Sequence, residues 1–245
     1  MVMQKAFIGQ KIIFLECIDS TNNYTAKVFK SGAIDSGTVI LTDIQTNGRG
    51  QREKEWHSDA FANLLASIAA DLNQWKIRDI ISLNHIVALA LHQFLSKYTP
   101  NVKIKWPNDI MINGKKVAGI LIETQMTSSQ RKSVIGFGVN INQTSFDAIR
   151  ATSLCLETSK NYQPKSLIFE VIDALNFFIN EYQTKGEKYL YDLYNNQLWM
   201  RDKEHIFVIN GIEKKGSIIS TSTEGYLLVN LQGEQRKFAN GEVSY

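Results

Sequence analysis

Short apolar runs rich in Ile, Val and Leu recur through the first 141 residues, at 11–18, 37–43, 62–70, 102–106, 110–112, 116–125 and 132–141, and each predicts a strand. A fourfold spacing at Ile86, Ala90 and Phe94 predicts a helix over 82–97, and helical patterns also cover 21–30 and 166–184. Asn113-Gly114, whose residues both tolerate positive φ, predicts a hairpin joining 110–112 to the strand at Lys116. Consecutive strands joined by hairpins, with helices arriving in blocks, predict an α+β fold on a mixed or antiparallel sheet rather than a doubly wound parallel one. Past residue 200 the helical spacing stops. Short strands follow, punctuated by Asn210-Gly211, Glu224-Gly225, Gln232-Gly233 and Asn240-Gly241. The chain thus divides into a larger unit, 1–198, and a small all-β unit, 199–245, whose core is too small to stand alone and is expected to pack on its neighbour.

Composition narrows the function classes. The 245 residues carry 27 basic and 24 acidic side chains, interleaved rather than gathered into a stripe, so nucleic acid is not an expected partner. No apolar run reaches the ~18 residues of a membrane span, and the first 18 residues lack a signal-peptide core. Cys17 and Cys155 stand apart, as reduced thiols of a cytoplasmic protein would. The four histidines form no ligand set: His85 and His92 share a helix face without a carboxylate or cysteine at metal spacing. There is no Walker loop, Rossmann fingerprint or Gly-x-Ser-x-Gly nucleophile.

Five constellations carry candidate chemistry, each with a plainer alternative. Gly48-Arg49-Gly50-Gln51-Arg52, followed by Lys54 and Trp56, reads as an anion-binding loop or as a polar surface loop with a tucked tryptophan. Lys105-Trp106-Pro107-Asn108-Asp109 bends a strand end and exposes polar groups suited to adenine and Mg²⁺, or simply makes a turn. Lys116 with Gly119 places a charge beside a strand glycine where a ligand can approach closely; a solvated edge lysine is the alternative. Asp19-Ser20-Thr21-Asn22 offers polar groups at a strand end, although one of them serving as helix N-cap is explanation enough. In Gly136-Phe137-Gly138-Val139-Asn140, the glycines admit a flat ligand or form a bulge.

Taken in order, Ser-Thr-Asn, Gly-Arg-Gly with a downstream Trp, Lys-Trp-Pro-Asn-Asp, Lys-x-x-Gly-Ile-Leu-x-Glu and Gly-x-Gly-x-Asn resemble the biotin protein ligases. The likeness continues through Ala151-Thr152-Ser153-Leu154 to Gly241-Glu242-Val243-Ser244. The resemblance implies a mixed sheet flanked by helices, related to the catalytic core of class II aminoacyl-tRNA synthetases, with a C-terminal SH3-like β-barrel. It implies ATP and Mg²⁺ as cofactors, biotin as substrate, and a biotin carboxyl carrier protein as partner. Biotin would be held by Ser20, Thr21, Asn22, Gln45, Gly48, Arg49, Gly50, Gln51, Lys116 and Gly119, and the nucleotide by Trp56, Lys105, Asn108, Asp109 and Asn140. Arg49 and Lys116 would be catalytic, and Asp109 would take Mg²⁺.

Regulatory members of that family carry a winged-helix domain before Ser-Thr-Asn. Ser20 leaves no room for one here, so repression is not expected. Three positions depart from the family pattern: Gln51 and Lys54 stand where arginines are usual, and Glu53 where glycine is usual. With fewer fixed charges, looser retention of biotinyl-AMP is expected. A lipoate ligase and a non-catalytic biotin sensor are the rival readings. A free sheet edge could also pair two protomers into a homodimer.

Overall fold

The computed structural model describes residues 6–52, 54–126, 131–146 and 150–245; Glu53 lies outside them. The larger sheet has seven strands, β1 (Ile12–Ile18), β2 (Val39–Gln45), β3 (Leu64–Asp71), β4 (Val102–Lys105), β5 (Asp109–Ile112), β6 (Lys115–Met126) and β7 (Arg131–Val139), in the order β1-β2-β3-β7-β6-β5-β4. The β1–β2 pair is parallel, with helix α1 (Thr21–Lys30) between the two strands in sequence, and the remaining neighbours are antiparallel. The expected mixed sheet is therefore present.

Side chains alternate across this sheet, and its two faces differ sharply. One presents Ala66, Ile68, Ile110, Ala118, Ile120, Ile135 and Phe137, all buried in one core with residues of α2 (Ile80–Ser96) and α4 (Ile168–Lys185). Ile86, Ala90 and Phe94 are all buried, as their spacing predicts. Asp79 caps α2 by accepting from the Ser82 amide at 2.8 Å. The other face is covered only in part. There α1 packs Phe29 against Ile34, Ile40 and Ala69, with Tyr24 and Val28 alongside.

Asn113 and Gly114 have φ of 50° and 75° and make the expected two-residue hairpin between β5 and β6. A bulge follows: Ile110 faces Ala118, but Met111 faces Lys116, so Val117 is the extra residue. Val117 and Ala118 both join the core, and the strict alternation is offset by one. Lys116 is thereby thrown onto the same face as Gly119.

Two helices escape the sequence reading, α3 (Leu154–Thr158) and α5 (Glu187–Asn196). The first is barely one turn, and the second, Glu-Lys-Tyr-Leu-Tyr-Asp-Leu-Tyr-Asn-Asn, alternates aromatics and polars in a way that suits a strand equally. Its buried Leu190 and Tyr194, four apart, decide for the helix.

The second sheet comprises β8 (Glu204–Ile209), β9 (Ile212–Thr221), β10 (Leu227–Leu231), β11 (Glu234–Phe238) and β12 (Val243–Ser244), all antiparallel, in the order β11-β10-β9-β8-β12. All four expected Gly turns fall between its strands. Its topology is consistent with an SH3-like unit, but β11 and β12 are its two ends and do not pair, so the expected barrel is an open sheet. It packs on the larger unit, as anticipated: Trp106 Nε1 donates to Gly225 O at 3.0 Å, Lys105 Nζ to Tyr245 O at 2.7 Å, and Asn195 Oδ1 accepts from the Thr221 amide at 2.6 Å. No described helix is long and apolar enough to cross a membrane.

His85 is buried in the α2–α5 contact, its ring stacked on Tyr194 at 4.1 Å between centroids. Burial pulls its pKa down to about 4 from 6.5, and nearby Asp79 only partly opposes this. The unfolded chain therefore takes up the proton first. Stability should be full above about pH 6.5 and fall by about 3 kcal/mol as pH drops through the window to 4. Urea unfolding of His85→Phe across that range should lose this dependence; a variant with the wild-type slope would contradict the assignment.

Candidate active site

The open part of the sheet face is floored by glycine. Gly119 on β6 and Gly138 on β7 are direct partners in register, and Gly136 lies two residues along β7 on the same side. The register of β7 is continuous with both neighbours, so these glycines form no bulge. Each admits something specific. A Cβ on Gly138 would lie 2.4 Å from the Trp56 ring, and one on Gly119 3.0 Å from that ring and 3.3 Å from Lys116 Nζ. On Gly136 a Cβ would meet Asn22 Oδ1 at 1.9 Å. The side chains of a cleft of about 1220 Å³ therefore lie directly on backbone.

Its first wall is the start of α1. Ser20 holds the N-cap position with extended backbone, yet its side chain makes no capping bond. Gln45 from β2 does that work: its Oε1 accepts from the Thr21 amide at 2.8 Å and the Thr21 hydroxyl at 3.0 Å. The simple N-cap reading of this motif is thus replaced by a buried polar network. Ser67 Oγ lies 2.7 Å from Thr21 Oγ1 and 2.6 Å from Asn22 Oδ1, and Asn22 Nδ2 donates to Glu123 Oε2 at 2.9 Å.

The second wall is a small hairpin whose described residues are 48–52 and 54–56. Trp56 N donates to Gly48 O at 2.9 Å, Gly50 N to Lys54 O at 2.6 Å, and the backbones of Arg49 and Glu55 pair antiparallel. Arg49 reaches back with both ends of its guanidinium to Glu123, at 2.8 and 3.2 Å, and gives Asn23 Oδ1 a further bond at 2.8 Å. Such a two-pronged fork is among the stronger charge-assisted contacts. Trp56 lies on the glycine floor, its Nε1 buried with no hydrogen-bond partner among the described residues.

The third wall holds Lys116, which ion-pairs with Asp109 at 2.6 Å and sits 5.5 Å from the Trp56 ring centre. Asn108 Nδ2 donates to Ile120 O at 2.8 Å and Asn140 Nδ2 to Thr152 O at 3.0 Å, so both amides already stitch neighbouring segments together. Lys105 leans towards the second sheet, 5.3 Å from the Trp199 ring and 4.9 Å from that of Tyr245. Burial lowers its pKa, an effect that Asp109 partly offsets.

Every residue expected at the site lines this cleft except Gly48, where a Cβ would collide with Trp56 O at 2.4 Å and which serves the hairpin instead. Among the described residues no three His, Cys, Asp or Glu side chains gather as a metal cluster.

Comparison with known proteins follows the same outline. The model of the biotin/lipoate A/B protein ligase family matches residues 14–140. The chain belongs to that family. The bifunctional ligase/repressor BirA of Escherichia coli is 30% identical over 251 residues, covering 96% of this chain and 74% of that protein. The biotin–[acetyl-CoA-carboxylase] ligase of Paracoccus denitrificans is 34% identical over 129 residues, 50% of this chain and 51% of that one. In fold, the chain resembles the biotin protein ligase of Aquifex aeolicus solved with biotin and ATP, with TM-score 0.80, 24% identity, and coverage of 96% of this chain and 98% of that one.

Beyond the motifs by which the family was read, the cleft draws on residues the sequence reading passed over. Ser67 is the lone hydroxyl in an otherwise apolar stretch of β3, a signal that alternation alone could have flagged. Glu123 closes the quoted strand motif but was given no role. Asn240 and Tyr245, beside Gly241 of the quoted C-terminal motif, bring the second sheet into the cleft lining. No pattern in the sequence announces that contact.

Gly136→Ala should displace Asn22 and break its bonds to Ser67 and Glu123. A loss of about 1–3 kcal/mol in urea unfolding is expected for such overpacking, and an unchanged midpoint would show that Asn22 is not held this way.

Proposed function

We infer that this protein is a biotin–protein ligase. It activates biotin as biotinyl-5′-AMP and passes the biotinyl group to a lysine of a biotin carboxyl carrier protein. Family membership supports the class of reaction. The observation that carries the chemistry is that two cations, Arg49 and Lys116, line one cleft floored by glycine backbone.

In the first step a biotin carboxylate oxygen attacks the α-phosphorus of ATP, and pyrophosphate leaves. Both reactants are anionic, and two unit charges ~4 Å apart repel by ~4 kcal/mol at an effective dielectric of 20, close to a thousandfold in rate. Arg49 and Lys116 offset that repulsion and stabilise the charge growing on the phosphoryl oxygens. Each is neutralised by a carboxylate in this structure, Glu123 and Asp109, so the incoming anion exchanges places with, or shares, a partner already there. The donor set suits Mg²⁺ carried in by the triphosphate rather than a resident metal, with Asp109 able to supply one oxygen; such an ion would draw charge from the phosphates.

The polar network of Ser20, Thr21, Asn22 and Gln45 takes the ureido end of biotin, with Gly119, Gly50 and Gln51 along its chain. Trp56 forms a flat wall for the nucleotide, beside Lys105, Asn108 and Asn140. In the second step the neutral acceptor amine attacks the acyl carbon, AMP leaves and the amine sheds a proton. No protein nucleophile is needed, and positioning and exclusion of water govern the rate. Residues 1–198 form the catalytic unit and 199–245 close one side of its cleft.

Biotin-dependent exchange of pyrophosphate into ATP tests this reading. Biotin should drive exchange and lipoate should not, and Lys116→Ala should lower the rate about 10²- to 10³-fold. Exchange driven by lipoate alone, or a fully active Lys116→Ala, would contradict it.

A further inference from the structure

Gln51 and Arg52, beyond the Arg49–Glu55 pairing, both contact the second sheet. Asn240 Nδ2, in the turn between β11 and β12, donates to Gln51 Oε1 at 2.8 Å. Next to it, Gly241 has φ +85°, and a Cβ there would run into the Arg52 guanidinium, which packs closely against the backbone of that turn. Arg52 itself takes a φ of 54°, a conformation that needs support from its surroundings. The stem is fixed to β6 by Arg49 and Glu123, and the tip to the second sheet.

We propose that the Asn240-Gly241 turn is a clasp for this hairpin and that Asn240 is a positioning residue of the reaction. It holds Gln51, and with it the loop, across the mouth of the cleft while the activated intermediate waits for its acceptor. The second sheet thus contributes to intermediate retention through a neutral hydrogen bond. The role in retention rests on the ligase reading given above; the clasp itself rests on geometry alone.

Two measurements on the full-length protein separate these. The hairpin carries tryptic sites at Arg49, Arg52 and Lys54, so its opening is read by limited trypsin digestion of the ligand-free chain. One hydrogen bond corresponds to a roughly three- to tenfold change in the open population. Asn240→Ala and Gln51→Ala should each speed cleavage within 49–54 by about that factor, with no further gain in the double variant, while cleavage elsewhere is unchanged. Wild-type cleavage in either single variant, or additive effects in the double, would overturn the clasp. Biotinyl-AMP formed in situ should then leave Asn240→Ala several-fold faster than wild type. An equal release rate alongside faster cleavage would overturn the role in retention and leave the clasp. A wild-type chain that forms no biotinyl-AMP would refute the ligase reading, and the digestion would still decide whether the clasp exists.

Discussion

The absence of side chains at Gly119 and Gly138, facing each other across β6 and β7, is the constraint on which the site depends. A sheet face normally presents a pleated layer of side chains, and anything bound there rests on top of them. Here the layer is missing along one cross-strand row, so Trp56 settles onto backbone and Lys116 passes close beside it. Gly136 extends the gap to Asn22. The opposite face of the same strands is filled by Ala118, Ile120, Ile135 and Phe137, which anchor the floor to the main core. One sheet thus has a side packed into the core and a side left bare at the cleft.

Electrostatics follows from that geometry. The bulge at Val117 moves Lys116 to the bare side, where Asp109 meets it. Glu123, four residues beyond Gly119 on the same face, meets Arg49 and Asn22 together. Neither cation is left unpaired at the edge of a partly buried cleft, which limits the cost of holding it there. On the proposed function, an anionic ligand enters as a replacement partner, and its binding energy is a difference between two ion pairs rather than the whole of one.

Much of the fold was legible in the sequence because burial leaves a periodic trace. The strand runs, the Asn113-Gly114 hairpin and the Ile86–Ala90–Phe94 stripe all fall where their spacing places them, and the order of motifs led to the family. The helix α5 was hidden by aromatic residues that suit either period, and the second sheet's open form lay beyond any local pattern. At the site, residue identity was legible but partnership was not. Nothing in the sequence says that Gln45 rather than Ser20 satisfies the start of α1, that the Asn108 and Asn140 amides are engaged with backbone, or that Asn240 reaches Gln51. Those contacts join segments far apart in the chain and are set by the sheet that brings them together.

The most direct test of the central claim is a crystal structure with a non-hydrolysable biotinyl-adenylate analogue. The account predicts that the analogue lies along the Gly119–Gly138 floor, its phosphate within hydrogen-bonding distance of Lys116 Nζ and the Arg49 guanidinium turned from Glu123 towards it. A ligand bound away from the glycine row, with Arg49 and Lys116 still engaged only by Glu123 and Asp109, would contradict it.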